Sequence, residues 1–230
     1  ANLARRKQAD GALLPALWDE KQINLTELLP AGFPVVQRGA GIGSSDIPSV
    51  AAKLSEGAAA MTEHLLDLGH RRIAFVCAEG PRSTKDRLGG FLAAMARRDV
   101  LVDPRYVVVP EDFGFAAGFS AGNSLLNLDP RPTAIFAAND WAATGVLAAV
   151  REAGLAAPDD VSLAGFDDHP IAAESRPALT TVRLPIDEMG QRAADMLIDL
   201  IEGRGLSERH VRLPVSLILR ESTGPCPQLR

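Results

Sequence analysis

Cysteine is scarce, with only Cys77 and Cys226 in 230 residues. Two cysteines give no disulfide framework, and their separation fits no cysteine-based metal site. Cys77 stands in an apolar, strand-like run and reads as a core residue. No apolar stretch reaches the roughly 20 residues that a membrane-spanning helix needs. The chain opens ANLARRKQADGALL, with charges where a secretory signal would be apolar, so no such signal is expected. Basic residues are outnumbered, 24 against 29 acidic, for a formal charge of −5 and a pI near 5.4. That balance is poor footing for a surface that binds nucleic acid by itself. A G-x-S-x-G nucleophile elbow and a Walker A lysine loop are both missing. The four histidines form no metal-ligand spacing with Asp or Glu, and none is paired with a nucleophile. No enzyme, cofactor or metal is therefore expected. There is also no repeat of fixed period, no low-complexity segment and no long linker.

What is present is an alternation of strands and helices, clearest in Pro132–Asp168 (PTAIFAANDWAATGVLAAVREAGLAAPDDVSLAGFDD). Thr133–Ala138 is an apolar run, and Asn139 and Asp140 are helix-starting residues whose oxygens can accept from free first-turn N–H groups. Ala142, Val146, Ala149 and Val150 recur at helical spacing, Gly154 ends the helix, and Val161–Phe166 is a second apolar run. This is a βαβ unit, expected to be right-handed and in a parallel sheet. Both strands end in polar residues, Asn139-Asp140 and Asp167-Asp168, and ligands bind at the carboxyl ends of such strands.

The same reading predicts strands at Gly11–Pro15, Phe33–Gln37, Ile73–Cys77 and Tyr106–Val109. It predicts helices at Ser55–Leu68, Lys85–Arg98, Phe119–Leu128 and Ile186–Glu202, and the end of another at Asn2–Gln8. Ala40–Ser49 reads as loop, Pro177–Pro185 as extended, and Val211–Leu219 as two strand runs around Pro214. Alternation throughout implies parallel sheets covered by helices, and the number of units implies two cores. The first element of such a fold would precede Asn2, so the first lobe is expected to be incomplete at its N-terminus.

Several clusters invite a ligand. The glycines of Gly39–Gly43 lead into a Ser-Ser-Asp-Ile-Pro loop rather than a helix, which breaks the dinucleotide-binding context and leaves a plain loop. His64 and His70 flank a helix end, where a cation interacts favourably with the helix dipole, and a structural role is expected for both. Arg82, Ser83, Lys85, Asp86 and Arg87 open a helix after a strand, a natural place for oxygen-rich ligands. Arg87 can grip a carboxylate or vicinal hydroxyls with two N–H groups. Phe113 and Phe115 follow a strand, and Trp141 follows Asn139-Asp140; each is either a packing residue or a wall for a sugar ring.

These segments together resemble the lactose/galactose repressor (LacI/GalR) family, in its effector-binding domain. The resemblance is carried by EHLLDLGHRRIAFV (Glu63–Val76), by Ser83 and Arg87 with RLGGF to Phe91, and by PTAIFAAND (Pro132–Asp140). It continues through PDDVSLAGFDD (Pro158–Asp168), PALTTVRLPIDEMG (Pro177–Gly190) and LPVSLILREST (Leu213–Thr223), in family order across almost the whole chain. It implies an α/β, periplasmic-binding-protein-like fold of two Rossmann-like lobes with parallel sheets. The lobes would be residues 1–68 with 184–213 and residues 69–183 with 214–223, with 224–230 a tail. Crossovers are expected near Leu68–Gly69, Val182–Leu184 and Leu213–Pro214.

The resemblance further implies a cytoplasmic ligand sensor of a transcriptional regulator. A small-molecule effector, a sugar or polyol, would bind between the lobes and alter operator binding. DNA would be held by an N-terminal helix-turn-helix outside this chain, and the protein would be a homodimer that uses the helix after Asp140 and the segment Ile171–Ala178. Arg87 and Asp167 would form the polar clamp, Asn139 would add a hydrogen bond, and Phe113 would stack on the effector. Glu56, Arg82 and Trp141 complete the expected contacts, although Ala51, Ala52 and Lys53 replace the acidic-amide pair usual before Glu56. An exported sugar-binding protein of a transport system is the alternative on the same fold.

Overall fold

The structure is a computed structural model that describes residues 8–15, 32–39, 47–77, 82–110 and 112–227. The chain divides into two compact units. The first comprises Ala1–Lys53, Gly80–Ser83 and Pro185–Pro214, and the second Leu54–Glu79, Thr84–Leu184 and Val215–Arg230. The predicted helix end at Asn2–Gln8 and the glycines between Ala40 and Gly43 lie outside the described residues, Gln8 excepted.

The first unit contains a four-stranded parallel sheet in the order β1 (Ala12–Pro15), β2 (Val35–Arg38), β3 (Ser49–Ala52), β9 (His210–Leu213). Helix α6 (Ile186–Ile201) packs on it and buries Met189, Ala193 and Met196, spaced four and three residues apart. Strand β3 was not expected, since Ala40–Ser49 reads as loop. Its sequence Ser-Val-Ala-Ala is weakly strand-forming, yet it is held in register on both sides, Gln37 opposite Ser49 and Val50 opposite Val211. Tertiary pairing overrides local preference there.

The second unit is built on a parallel sheet in the order β5 (Val107–Val108), β4 (Ile73–Val76), β6 (Ala134–Ala137), β7 (Ser162–Ala164). All eight residues of β4 and β6 are buried, as central strands covered on both faces should be. Phe75 stacks on Phe91 of helix α2 (Arg82–Arg97) at 5.0 Å and meets Phe136 edge-on at 5.1 Å. Single bridges, Ala164 to Thr180 and Asp167 to Arg183, extend this sheet to β8 (Thr181–Arg183), which pairs antiparallel with β10 (Ser216–Ile218).

Helices α3 (Phe115–Leu126) and α4 (Asp140–Glu152) cross almost backbone to backbone. A Cβ on Gly118 would stand 2.1 Å from the Ala142 carbonyl oxygen, and one on Gly145 2.1 Å from that of Phe115. This contact, with the sheet beneath, buries Ala142, Ala143, Val146, Leu147, Ala149 and Val150. A short helix α5 (Pro170–Glu174), started by His169 and Pro170, was also not expected.

Two boundaries differ from the sequence reading. Helix α1 (Leu54–Asp67), placed by that reading in the first lobe, belongs to the second unit. The reason is close packing: a Cβ on Gly57 would lie 2.6 Å from Val215, 3.0 Å from Val182 and 3.3 Å from Phe166. The chain thus passes between units at Lys53–Leu54 rather than at Leu68–Gly69. Residues 224–227 are not a loose tail. Gly224 N–H donates to Ser162 Oγ at 3.0 Å and Cys226 N–H to the Leu68 carbonyl at 2.8 Å.

His70 anchors that docking and is fully buried. Its Nε2 lies 3.1 Å from the Gly224 carbonyl, which can only accept, so Nε2 carries the proton and Nδ1 accepts from Thr133 Oγ1 at 2.9 Å. Burial lowers its pKa, as it does that of His64. His70 is a neutral core histidine, not the cation at a helix end that its position suggested.

A polar clamp on the rim of the second unit

Strand β4 is followed on one side by β5 and on the other by β6, so the connections diverge above β4 and β6. Ligands of open parallel sheets bind at the carboxyl ends of strands at such a divergence. The segments that leave β4, β5, β6 and β7 there carry Arg87, Phe113, Asn139 and Asp167.

Arg87, in the second turn of α2, is 7% exposed. Its Nη1 donates to the Ala138 carbonyl at 2.7 Å, and its Nη2 donates to Asp167 Oδ1 at 2.7 Å. The guanidinium carbon lies 4.2 Å from the centre of the Phe166 ring. One carbonyl, one carboxylate and one ring face therefore fix it. Asp167 keeps 37% of its side chain exposed, and its Oδ2 takes no hydrogen bond from the described residues. Burial raises the pKa of Asp167, and the Arg87 guanidinium opposes that rise without cancelling it.

The loop that presents Asp167 is strained. Asp167 has φ +103° and Asp168 φ +56°, a region that L-residues with side chains seldom occupy. The contacts that hold it are identifiable. Asp168 accepts from Arg183 Nε and from Arg220 Nη2, each at 2.6 Å. Burial alone would raise its pKa, but the two guanidinium groups outweigh burial and lower it. Asp167 N–H donates to the Val182 carbonyl at 2.9 Å.

Beneath the loop lies Asp140, 1% exposed. Its Oδ1 accepts from Thr181 Oγ1 at 2.7 Å and its Oδ2 from His169 N–H at 2.7 Å. Burial, with Asp167 and Asp168 nearby, pushes its pKa up to about 7 despite those two bonds. A Cβ on Gly165 would sit 2.2 Å from Asp140 Oδ1, so the close approach needs glycine. Asp140 thereby ties the start of α4 to the Asp167 loop and to β8. Sequence reading saw it as a helix starter and as a polar residue at the strand end; its buried role depends on Gly165, His169 and Thr181, which no local pattern links to it. Asp168, Arg183 and Arg220 were missed as a cluster for the same reason, although REST and the Asp-Asp pair were the available signals.

Asn139 makes two hydrogen bonds within the protein. Its Oδ1 accepts from Ala142 N–H at 2.7 Å and caps α4, and its Nδ2 donates to the Phe113 carbonyl at 3.1 Å. Each side-chain atom has one partner within the protein, in a residue 8% exposed, and the amide keeps a second N–H. Asn139 fixes the segment that carries half-buried Phe113. Trp141, 48% exposed, lies with its ring 5.1 Å from that of His169. Phe115 is the first residue of α3 and stacks on Phe119 at 6.4 Å. The described contacts thus bring Arg87, Asp167, Asn139 and Phe113 into one constellation. Glu56 is exposed in the first turn of α1, and the side chain of Arg82 lies outside the described residues.

Among the described residues, no group of three or more His, Cys, Asp or Glu side chains could hold a metal ion. No described helix is long and apolar enough to cross a membrane. The Cys77 thiol is buried and pushed up to about 11, so it remains protonated and inert.

A parallel α/β unit with an Arg–Asp pair at its strand ends has the architecture on which small-molecule sites of open sheets are built. A periplasmic binding protein-like domain matches residues 62–223. The chain is 31% identical over 227 residues to the NTD biosynthesis operon regulator NtdR of Bacillus subtilis, covering 96% of this chain and 67% of that protein. It is 33% identical over 226 residues to the HTH-type transcriptional repressor CytR of Escherichia coli, covering 96% of this chain and 64% of that protein. The chain thus spans about two thirds of the length of these relatives. Among solved structures, a regulatory protein of the LacI family from Chloroflexus aggregans superposes with a TM-score of 0.90 at 34% identity, over 97% of this chain and 80% of that one. A LacI family regulator from Enterococcus faecium with bound ribose superposes with a TM-score of 0.83 at 29% identity, over 97% of this chain and 84% of that one. The chain belongs to the LacI family of transcriptional regulators.

Proposed function

We propose that this chain is the effector-sensing domain of a cytoplasmic, homodimeric repressor and that its effector is a sugar or polyol. The observation that carries the reading is the Arg87–Asp167 pair, fixed on one side by the Ala138 carbonyl and Phe166 and open at Asp167 Oδ2. A carboxylate oxygen that faces outward beside a fixed guanidinium accepts from one hydroxyl of a polyol. Phe113, held by Asn139, offers an apolar wall of the kind a sugar ring stacks on. The ribose-bound relative supports the same ligand class. The regulators among its relatives favour this reading over a transport protein.

Operator DNA is then bound by another part of the whole protein. The CytR relative is of the helix-turn-helix type, and a net charge of −5 on this chain suits ligand sensing better than DNA contact. The effector acts by its differential affinity for the DNA-competent and DNA-released states, and it can shift the equilibrium by no more than that difference. The test is a thermal-shift titration with D-ribose, D-xylose, D-glucose, cellobiose, ribitol and adenosine. A saturable rise in Tm with a sugar or polyol, absent in Arg87→Ala, supports the reading. No rise with any sugar or polyol overturns it. Light scattering at micromolar concentration tests the dimer.

A further inference from the structure

The Asp167 loop rests on a buried carboxyl that has no cation of its own. Asp140 Oδ2 accepts from His169 N–H, and its Oδ1 meets the Thr181 hydroxyl, which also accepts from Asp168 N–H at 3.4 Å. One carboxyl thus fixes both residues that follow Asp167. Among the described residues, the guanidinium groups of this region pair elsewhere: Arg87 with Asp167, and Arg183 and Arg220 with Asp168. The elements packed on the start of α4 bring no cation either. Strands β6 and β7 and helix α3 carry no ionisable side chain, α5 carries only the exposed Glu174, and the His169 ring lies against Trp141. A carboxylate buried without a cation is less favourable than the neutral acid. The neutral acid also fits the bonds seen. His169 N–H only donates, so Oδ2 stays an acceptor and the proton sits on Oδ1, where the Thr181 oxygen can receive it. The raised pKa of Asp140 accords with that form.

We propose that Asp140 is a positioning residue of the effector site, that it holds the Asp167 loop as the protonated acid, and that effector binding is therefore linked to that proton. This rests on the sensor reading above and adds a regulation to the same site. Asp140 lies too deep to meet the effector and acts through His169 N–H and Thr181. Ionised, it would add a third negative charge beneath Asp167 and Asp168, away from bulk water, where like charges repel strongly. The loop already holds φ +103° at Asp167 and +56° at Asp168, so repulsion and backbone strain act in the same direction, away from the clamp geometry. Loss of the proton loosens the clamp, and by reciprocity an effector that needs the clamp tightens the hold of Asp140 on its proton. Affinity therefore falls as pH rises through neutrality, and binding takes protons up from the solvent.

Calorimetric titration between about pH 6 and pH 8.5 at constant ionic strength tests this, with D-ribose or whichever of the probes above binds tightest at the acid end. The natural sequence is expected to lose about 10-fold in affinity over that range, since a required proton is worth up to tenfold per pH unit above its pKa. Titrations near neutrality in phosphate and in Tris, which differ in heat of ionisation, are expected to show protons taken up on binding. Asp140→Asn keeps both bonds without titrating, and is expected to stay within about threefold of the natural sequence's acid-end affinity throughout. Asp140→Ala, which loses both bonds, is expected to bind at least about 10-fold more weakly at every pH. His169→Asn keeps the backbone N–H and a helix-capping side chain, and is expected to keep the pH dependence. A natural sequence with flat affinity and no buffer-dependent heat overturns the proposal and leaves the sensor reading intact. A fall in affinity that Asp140→Asn retains, or that His169→Asn removes, also overturns it, because the proton then sits elsewhere. A natural sequence that binds no probe at any pH overturns the sensor reading and this proposal with it.

Discussion

Asp140→Asn is the substitution whose effect changes sign with pH. The Asp140 carboxyl lies 1% exposed, with two neighbouring aspartates, and its pKa is pushed up to about 7 from an ordinary 3.8. Between those values the folded protein holds a proton that the unfolded chain has released. Stability therefore falls as pH rises through that window, by at most about 4 kcal/mol for a shift of this size. Asparagine does not titrate. It can keep the bond from His169 N–H and turn its amide toward Thr181 Oγ1, at a loss of about 1 kcal/mol for the rearranged hydrogen bond. The variant is thus expected to be slightly less stable than the natural sequence near pH 4.5 and more stable near pH 8.

The difference between the two proteins is the quantity to follow, because the absolute slope mixes opposing groups. His64 and His70 have lowered values, so their contribution is full above 6.5 and lost as pH falls below it, opposite in sense to Asp140. Urea unfolding at constant ionic strength is the assay, with Trp18→Phe in both proteins so that Trp141, 5.1 Å from His169, reports on the second unit. A difference that stays flat from pH 4.5 to 8 refutes the reasoning, since it means that Asp140 is ionised throughout.

Gly145→Ala in α4 is expected to cost at least about 2 kcal/mol, because the new Cβ meets the Phe115 carbonyl at 2.1 Å and the Phe119 nitrogen at 2.6 Å, where only backbone can yield. In a free helix the same change gains about 1 kcal/mol, so the sign of the Tm shift decides. Asn139→Ala removes a helix cap and frees the Phe113 segment. A stability loss of about 1 kcal/mol is expected, together with weaker binding of the best sugar probe by isothermal titration calorimetry. His70→Gln is expected to flatten the loss of stability below pH 6.5, read from the same urea series, and an unchanged slope would place the acid sensitivity elsewhere.

The parts of the fold that were legible in the sequence are those fixed by local chemistry. Strands β4 and β6 are unbroken apolar runs, α4 begins at a capping asparagine whose side chain makes the expected bond, and α6 carries its apolar residues at helical spacing. Strand β3 was illegible because Ser-Val-Ala-Ala becomes a strand only between β2 and β9. Helix α1 was legible as a helix but not as a member of the second unit, since that depends on Val182 and Val215, over 120 residues away in sequence, fitting against Gly57. At the rim, family resemblance singled out Arg87 and Asp167, and the structure pairs them at 2.7 Å. It could not show that Asn139 caps α4 and bonds the Phe113 carbonyl, or that Asp140 lies buried under the loop.

The central claim is that Asp167 Oδ2 receives a ligand hydroxyl, and calorimetric titration of Asp167→Asn against the natural sequence tests it most directly. Asparagine preserves the size of the side chain and an oxygen for Arg87 Nη2, but it removes the charge and presents an amide where the open oxygen stands. With the sugar that binds best, the account predicts an affinity reduced roughly 10- to 100-fold, the value of a hydrogen bond to a charged group, with the Tm of the ligand-free protein nearly unchanged. Undiminished affinity in a folded Asp167→Asn protein would contradict it.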